Sequence, residues 1–305
     1  MIKKDLTKIT DLNSQEIVRI MERAFEFKGK SDAGIRQENI LRGKTVAMIF
    51  EKPSLRTKVA FETATAYLGG IPIFLSSGQI LASGRNVQGR ESIPDIARNL
   101  ERFADIILAR VYSHSTIQTI AAIIKKPVIN LLCDQHHPTQ ALADLMAITW
   151  HKKETRGLNV VFIGDGNNVA VSLMQICAFT GMNFTIASPA DYEIPMKERG
   201  GTNFKFINDP VEAVENADII YTDTFVSMGQ EEEREKRLRD FKNYQVNMGL
   251  LKQAKSDTLF MHCLPAHRGE EVTDEVMDCN QSIIFDQAEC RLHIAKSLLS
   301  LYLNS

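Results

Sequence analysis

Short apolar runs recur along this chain, separated by longer stretches whose apolar residues follow helical spacing. Each run is nearly continuous in apolar residues instead of alternating with polar ones. Strands of that kind are buried on both faces, as in a parallel sheet covered by helices on each side. The segments predicted as strands are 45–50, 104–111, 127–132, 159–165, 183–189, 218–223, 258–265 and 282–287. The predicted fold class is therefore α/β, with doubly wound parallel sheets flanked by helices.

The length of 305 residues exceeds what one hydrophobic core usually serves, so two domains are expected. We place them at residues 1–146 and 147–289. The segment 137–152 is the predicted connecting helix, because its proline suits a first helical turn and its apolar residues have helical spacing. A second helix, at 290–305, is predicted to pack back on the first domain. The charge-dense run 229–244 is predicted to be a solvated helix.

Charge and cysteine content indicate which classes of protein do not fit this chain. With 36 basic and 38 acidic residues the formal net charge is −2. No overall field therefore recruits nucleic acid, and any anion site must be local. The apolar runs are shorter than the roughly 20 residues that span a bilayer, and the N-terminus lacks a signal-peptide core, so a cytoplasmic protein is expected. Five cysteines without CxxC spacing indicate neither a disulfide framework nor a zinc ribbon.

The segment EKPSLRTKVAFE, residues 51–62, combines hydroxyl and cationic side chains at a predicted helix start. A helix start offers unpaired N–H groups and the positive end of the helix dipole, so further donors and cations favour a strongly charged anion. The hydroxyls of Ser54 and Thr57 and the guanidinium of Arg56 would bind a phosphate. The alternative is an ordinary serine cap beside a surface arginine.

A second polar group lies in HHPTQ, residues 136–140. His137 and Gln140 are three residues apart across a helix start and can share a face. A neutral imidazole and a carboxamide can polarise a carbonyl and hold an amide NH2, with a capping role as the alternative. Ligands of doubly wound sheets bind beyond the carboxyl ends of the strands. The residues at or after predicted strand ends, which are expected to share one cleft, are Ser54, Arg56, Arg110, His137, Asn168, Asp223, Ser227 and Cys263.

GDGNN, residues 164–168, follows a predicted strand and resembles a dinucleotide-binding turn. Val169 occupies the third glycine position of the GxGxxG fingerprint, so the fingerprint is incomplete. Asparagines at such a strand-to-helix turn would equally suit a zwitterion, which makes Asn168 a candidate for substrate binding.

DTFVSMG, residues 223–229, places a carboxylate at a strand end before a glycine turn. Asp223 can hold a substrate amine, and Ser227 with the neighbouring backbone can hold an α-carboxylate or an α-amine. A plain loop with a capping serine is the alternative.

FMHCLPAHRGEEV, residues 260–272, brings two histidines and Cys263 close together, which suggests a metal. Pro265 interrupts any helix that would align them, and a catalytic zinc usually needs a third firm protein ligand, so a metal is disfavoured. A cis Leu264–Pro265 bond would instead turn backbone carbonyls into the cleft. Cys263 as a nucleophile would need a base, and the adjacent His262 points to the opposite face of the strand.

Taken together, SLRT, HPTQ, DTFVSMG and HCLPAHRGEEV resemble, in this order and spacing, the ornithine carbamoyltransferase family, a branch of the aspartate/ornithine carbamoyltransferases. The resemblance covers essentially the whole chain. It implies a carbamoyl phosphate-binding domain followed by an ornithine-binding domain, and transfer of a carbamoyl group to the δ-amine of L-ornithine in arginine metabolism. It further implies no cofactor, no metal, and a homotrimer or an assembly of trimers with active sites between subunits.

The resemblance also implies a role for each matching residue. Carbamoyl phosphate would contact Ser54, Leu55, Arg56, Thr57, Arg110, His137, Gln140, Cys263, Leu264 and Arg291. L-Ornithine would contact Asn168, Asp223, Ser227 and Met228. The catalytic residues would be Arg110 and His137, which act on the carbonyl oxygen, together with Asp223 and Cys263, which orient the amine.

The chain departs from the family pattern at several single positions. Leu55 and Lys58 replace the commoner threonine and arginine of STRTR, and Lys58 cannot make a planar bidentate pair. Val171 stands at a position that is often polar, and Cys290 stands where AENR has asparagine.

A longer departure is the segment 76–92, which exceeds the family loop that reaches a neighbouring subunit. It leaves open whether Gln79, Asn86 or Gln88 contacts carbamoyl phosphate. The departures keep two alternatives open, a carbamoyltransferase with another amine acceptor and a non-catalytic ligand-binding paralogue. The incomplete glycine fingerprint adds a third, a dinucleotide-dependent oxidoreductase.

Overall fold

The computed structural model describes residues 4–76, 91–199, 204–227 and 229–304. The chain forms two compact units, Met1–Met146 with Glu289–Ser305 and Ala147–Ala288. It passes from one unit to the other within two helices, Pro138–Lys152 and Ile284–Leu303.

Some of the predicted site residues lie outside the described part of the chain. These are Met228, Gln79, Asn86 and Gln88.

Within the described part, no helix is both long and apolar enough to cross a membrane. All five cysteines lie there and are free thiols, of which Cys133, Cys177 and Cys290 are buried.

The described part of the first unit contains a sheet of four parallel strands in the order β2-β1-β3-β4. The strands are β1 (Thr45–Phe50), β2 (Ile71–Ser76), β3 (Ile106–Arg110) and β4 (Val128–Leu132). The helices are α1 (Ser14–Asp32), α2 (Leu55–Tyr67), α3 (Ile93–Phe103), α4 (His114–Ile123) and α5 (Pro138–Lys152), the last of which continues into the second unit. β1 and β3 are buried along almost their whole length, as expected for strands covered on both faces.

The described part of the second unit contains five parallel strands in the order β7-β6-β5-β8-β9. The strands are β5 (Asn159–Ile163), β6 (Asn183–Ala187), β7 (Phe204–Ile207), β8 (Ile219–Thr222) and β9 (Leu259–His262). The helices are α6 (Asn168–Thr180), α7 (Pro210–Val214), α8 (Arg234–Asp240), α9 (Met248–Leu251), α10 (Asp274–Met277) and α11 (Ile284–Leu303), which returns to the first unit. The predicted α/β class with two parallel sheets is confirmed.

The predicted strand at 282–287 is wrong. The Phe260 N–H donates to the Gln281 carbonyl at 2.8 Å, and the Ile283 N–H donates to the Phe260 carbonyl at 3.0 Å. The chain therefore runs beside β9 for a single bridge, and α11 begins at Ile284. A short apolar run fits a strand or a buried helix equally well, and here the helical spacing that continues beyond it decides the outcome.

Two strands were missed, and both lie at sheet edges. β2 and β7 are only partly buried, and Lys205 interrupts the short apolar run of β7. β2 also contains Pro72, which lacks an N–H donor and is tolerated in a sheet mainly at an edge.

The charged run 229–244 is helical only over part of its length. Glu231–Glu233 form a 3-10 turn, and α8 follows at Arg234–Asp240. Most side chains before Arg237 are exposed, as predicted for a solvated segment, but Arg237 itself is buried.

Candidate active site

A buried imidazole in the first unit lies within the electrostatic influence of three guanidiniums. His137 directly precedes α5, Arg110 ends β3, Arg56 lies in the first turn of α2, and Arg291 belongs to α11. Burial, followed by the charges of Arg291, Arg110 and Arg56, holds the pKa of His137 well below its ordinary range. The imidazole is therefore neutral at physiological pH, in a region of positive potential that suits a multiply charged anion.

Arg291 connects two further predicted site residues. Its Nη2 donates to Thr57 Oγ1 at 3.0 Å, and its Nη1 donates to Gln140 Oε1. Gln140 Nε2 donates in turn to Asp144 Oδ1 at 2.8 Å, one turn further along α5. All four side chains are buried. The carboxamide orientation is therefore set by side-chain partners and not by the helix start.

The first turn of α2 presents the remaining residues of the SLRT motif. Ser54 occupies the N-cap position, but its side chain makes no capping hydrogen bond. Leu55 is 74% exposed. Lys58 Nζ lies 3.9 Å from the Phe74 ring centroid and 3.9 Å from Glu62 Oε1. Lys58 thus contacts neighbours on α2 and β2. The two remaining single-residue departures from the family pattern, Val171 and Cys290, are buried.

Lys52 is a cation of the EKPSLRT segment that was not predicted as a site residue. Its Nζ lies 4.6 Å from the centre of the Tyr112 ring. Burial, together with the nearby charge of Arg110, lowers the pKa of Lys52. The sequence signal was present in EKPSLRT, immediately after β1, and Lys52 adds positive charge beside Arg110.

In the second unit, Asp223 accepts several hydrogen bonds just beyond the end of β8. The Cys263 thiol donates to Oδ1 at 3.0 Å, and Asn167 Nδ2 donates to Oδ2 at 3.0 Å. The Thr224 N–H also donates to Oδ1, at 2.9 Å. Asn167 was not a sequence candidate. It is the N-cap of α6, and its Oδ1 accepts from two helix N–H groups, whereas the predicted Asn168 begins the helix itself.

The loop after β9 is fixed by a fully buried pair, His262 and Glu271. The Leu264 N–H donates to His262 Nδ1 at 2.8 Å, so the imidazole proton is on Nε2, which faces Glu271 Oε1 at 3.3 Å. The Leu264–Pro265 bond is cis, as predicted. His262 therefore bonds to Glu271 while its neighbour Cys263 bonds to Asp223, in keeping with side chains on opposite faces of a strand.

Asp223, His262 and Cys263 could also be considered as ligands of a metal ion, the alternative that the sequence suggested. Ligand atoms of Asp223, His262 and Cys263 lie within 4.8 Å of one another. Each of the three is engaged in hydrogen bonds with protein groups. A metal at this position would have to displace the Cys263–Asp223 or the Leu264–His262 hydrogen bond.

Arg237 connects the GDGNN turn to the segment that follows β8. Its Nη1 donates to Asp165 Oδ2 at 2.8 Å and to the Phe225 carbonyl at 3.2 Å. Burial raises the pKa of Asp165, and the Arg237 guanidinium opposes that rise. Further along the same segment, the Ser227 N–H donates to Gln230 Oε1 at 3.0 Å. The segment that carries Ser227 is thus held by two side chains of the charged run.

Gly166 is required by close packing of the chain on itself. A Cβ at this position would lie 2.4 Å from the Ile194 nitrogen and 2.5 Å from the Glu193 carbonyl carbon. The Gly166 N–H donates to the Tyr192 carbonyl at 2.8 Å. In a dinucleotide-binding turn the corresponding approach is made by a pyrophosphate. Here the backbone of residues 193–194 occupies that space.

Comparison with known families assigns both halves of the chain. The profile described as aspartate/ornithine carbamoyltransferase, carbamoyl-P binding domain, matches residues 4–149. The profile described as aspartate/ornithine carbamoyltransferase, Asp/Orn binding domain, matches residues 156–302.

Individual proteins are similar over nearly the full length. The anabolic ornithine carbamoyltransferase of Pyrococcus furiosus is 47% identical over 309 residues, which cover 98% of this chain and 96% of that protein. A solved ornithine carbamoyltransferase structure from Pyrococcus furiosus matches with a TM-score of 0.93 at 45% identity, over 99% of this chain and 97% of the other. A solved N-acetyl-L-ornithine transcarbamylase matches with a TM-score of 0.86 at 26% identity, over 98% and 99% of the two chains.

Proposed function

The chain belongs to the aspartate/ornithine carbamoyltransferase family, and from this we propose that it transfers the carbamoyl group of carbamoyl phosphate to the δ-amine of L-ornithine. The products are L-citrulline and phosphate. The observation that carries the proposal is the neutral His137 within the influence of three guanidiniums, those of Arg56, Arg110 and Arg291. This combination suits a ligand with a highly charged phosphate and a polarisable carbonyl.

Carbamoyl phosphate binds, in this proposal, to the first domain, residues 1–146 together with residues 290–305. The phosphate is held at the start of α2, where the helix dipole and unpaired N–H groups favour an anion. Arg56 adds a guanidinium that can bind phosphate in a bidentate way. The side chains and backbone of Ser54, Leu55 and Thr57 complete this turn.

The carbonyl oxygen of the carbamoyl group receives hydrogen bonds from Arg110 and from the neutral imidazole of His137. Negative charge grows on this oxygen as the amine attacks, so donors already in place stabilise the transition state more than the ground state. Removing one such donor typically raises the barrier by roughly 3 to 4 kcal/mol. Gln140 Oε1 accepts from the carbamoyl NH2, and Arg291 holds Gln140 and Thr57 in place.

L-Ornithine binds, in this proposal, to the second domain, residues 147–289. Asp223 and Cys263 orient the δ-amine, and the hydrogen bond between them supports that assignment. Asn168, Ser227 and Met228 hold the α-amine and α-carboxylate. Cys263 and Leu264 also contact the carbamoyl group.

The reaction balances without a cofactor. The neutral δ-amine attacks the carbonyl carbon, a C–N bond forms, and the C–O bond to phosphate breaks. The nitrogen then loses one proton, which the departing phosphate can accept. Thus R–NH2 and carbamoyl phosphate give the ureido product and hydrogen phosphate.

The choice of amine is tested by a panel of acceptors. Phosphate release and the carbamoylated product should be measured with L-ornithine beside N-acetyl-L-ornithine, putrescine and aspartate. N-Acetyl-L-ornithine belongs in the panel because a transcarbamylase of that name shares the fold over nearly the whole chain. Selective turnover of L-ornithine supports the proposal. Selective turnover of another amine would show that the residues assigned to L-ornithine bind a different acceptor. Binding of carbamoyl phosphate without turnover favours a non-catalytic paralogue.

The assembly and metabolic role are further parts of the proposal. We expect a homotrimer or an assembly of trimers in arginine biosynthesis. The similarity to an enzyme described as anabolic supports the second point. Light scattering coupled to gel filtration tests the first, and a monomeric mass would contradict it.

A further inference from the structure

The carboxamide of Gln140 has two possible orientations, which differ by exchange of its oxygen and its nitrogen. In the structure, Oε1 accepts from Arg291 Nη1 and Nε2 donates to Asp144 Oδ1 at 2.8 Å. Asp144 is fully buried and lies one helical turn beyond Gln140. The carbamoyl-transfer steps described above give Asp144 no role of its own.

The two neighbours of the carboxamide specify the same orientation. A guanidinium only donates hydrogen bonds, and a carboxylate only accepts them. Reversing the carboxamide would set NH2 against the guanidinium of Arg291 and oxygen against the carboxylate of Asp144. Both charge-assisted hydrogen bonds would be lost at once in a buried site, where unpaired polar groups are costly.

We propose that Asp144 is a positioning residue that sets the acyl-group specificity of the site. By holding Nε2 it keeps Oε1 beside Arg291. A carbonyl oxygen has two lone pairs, and Arg291 uses one of them. The other accepts from a carbamoyl NH2 but gains nothing from a methyl group, so the site prefers carbamoyl phosphate to an acyl phosphate that ends in CH3. This inference rests on the proposed function.

Two stable ligands test the proposal directly. Phosphonoacetamide and acetonylphosphonate both replace the bridging oxygen of the acyl phosphate with CH2, and they differ only in carrying NH2 or CH3. Calorimetry should show that the wild-type protein prefers phosphonoacetamide by roughly tenfold, the equivalent of one hydrogen bond. Asp144→Leu leaves Arg291 alone to specify the carboxamide orientation and should reduce the ratio several-fold. The loss should come chiefly from weaker binding of phosphonoacetamide, because the phosphate-binding turn of α2 is unchanged.

The matched control is Asp144→Asn, whose amide oxygen can still accept from Gln140 Nε2. It should retain a clear preference for phosphonoacetamide. A merely structural role for Asp144 predicts equal weakening of both ligands in Asp144→Leu, and that result overturns the proposal. So does an unchanged ratio in Asp144→Leu, or a ratio in Asp144→Asn as low as that in the leucine variant.

A double variant covers the case in which Asp144→Leu does not fold. Gln140→Glu with Asp144→Asn exchanges the two group types, keeps an acceptor oxygen beside Arg291, and should retain the preference. Loss of the preference in the double variant contradicts the proposal. Citrulline formation by the wild-type protein is measured separately, so failure of the proposed function is distinguishable from failure of the Asp144 assignment.

Discussion

The thiol of Cys263 donates a hydrogen bond to Oδ1 of Asp223, with a separation of 3.0 Å between Sγ and oxygen. The two residues are 40 positions apart in sequence and follow the ends of β9 and β8, which are paired in parallel. The carboxyl ends of paired parallel strands lie at the same sheet edge, which brings the two side chains together. Cys263 is thereby placed to orient the carboxylate, with no need to act as a nucleophile.

Variants of Cys263 distinguish a thiol that orients Asp223 from a thiol that acts as a nucleophile. Cys263→Ala removes the donor to Asp223 and should lower kcat/KM for L-ornithine by about 10- to 100-fold, since a hydrogen bond to a charged group contributes roughly 1.5 to 3 kcal/mol. Cys263→Ser retains a donor and should keep most of the activity. Steady-state kinetics on both variants measure kcat/KM for L-ornithine. Inactivity of the serine variant equal to that of the alanine variant would favour a nucleophilic thiol instead.

Arg56 is expected to be essential for binding carbamoyl phosphate. Arg56→Ala removes a guanidinium from the first turn of α2 and should reduce the affinity below calorimetric detection. Arg98→Ala is the matched control, because Arg98 is an exposed arginine whose ion pair is with Asp95 on α3. Near-normal affinity in Arg56→Ala would refute the phosphate-binding role of the SLRT turn.

Acid should destabilise the protein through its buried neutral histidines. Burial and the charge of His114 lower the pKa of His136 from 6.5 to about 4. Between those values the unfolded chain binds a proton that the folded chain does not, so the free energy of unfolding falls as the pH decreases through this window. The loss is roughly 1.4 kcal/mol per pH unit, or about 3 kcal/mol in all. The lowered pKa of His137 contributes with the same sign.

Urea unfolding at pH 7.5 and pH 5.5 measures this effect. The wild-type protein should lose stability on acidification, and His136→Gln should lose about 1 kcal/mol less over the same interval. The same pH dependence in both proteins would show that His136 does not contribute.

Two glycines should respond to alanine with opposite signs. Gly166→Ala forces a Cβ against the backbone of Glu193 and Ile194 and should destabilise the protein by roughly 3 kcal/mol. Gly29, in the interior of α1, has no heavy atom within 4 Å of an added Cβ, so Gly29→Ala should stabilise by about 0.5 to 1 kcal/mol. Thermal unfolding of both variants tests the pair. Equal stability of Gly166→Ala and the wild-type protein would show that residues 193–194 can move aside.

Much of the candidate site was predictable because its residues follow strands or begin helices. Arg56 and Thr57 at the start of α2, Arg110 at the end of β3 and Asp223 after β8 belong to motifs whose position in a parallel α/β fold is readable locally. Asp144 and Asn167 were not predicted. Asp144 lies inside a helix whose apolar pattern was the dominant signal, and Asn167 is one of two adjacent asparagines whose local sequence does not distinguish their partners.

The amino-acid sequence by itself determined the class of the fold, the buried central strands, the connecting helix and the residue types that could bind an anion. These follow from local periodicity and from the chemistry of single side chains. Only the tertiary structure decided the edge strands, the start of α11 and the partners of each polar group. Arg291 bonds to Thr57 across 234 residues of sequence, and the orientation of Gln140 depends on that arginine and on Asp144. Such contacts depend on how whole elements pack, which no local pattern encodes.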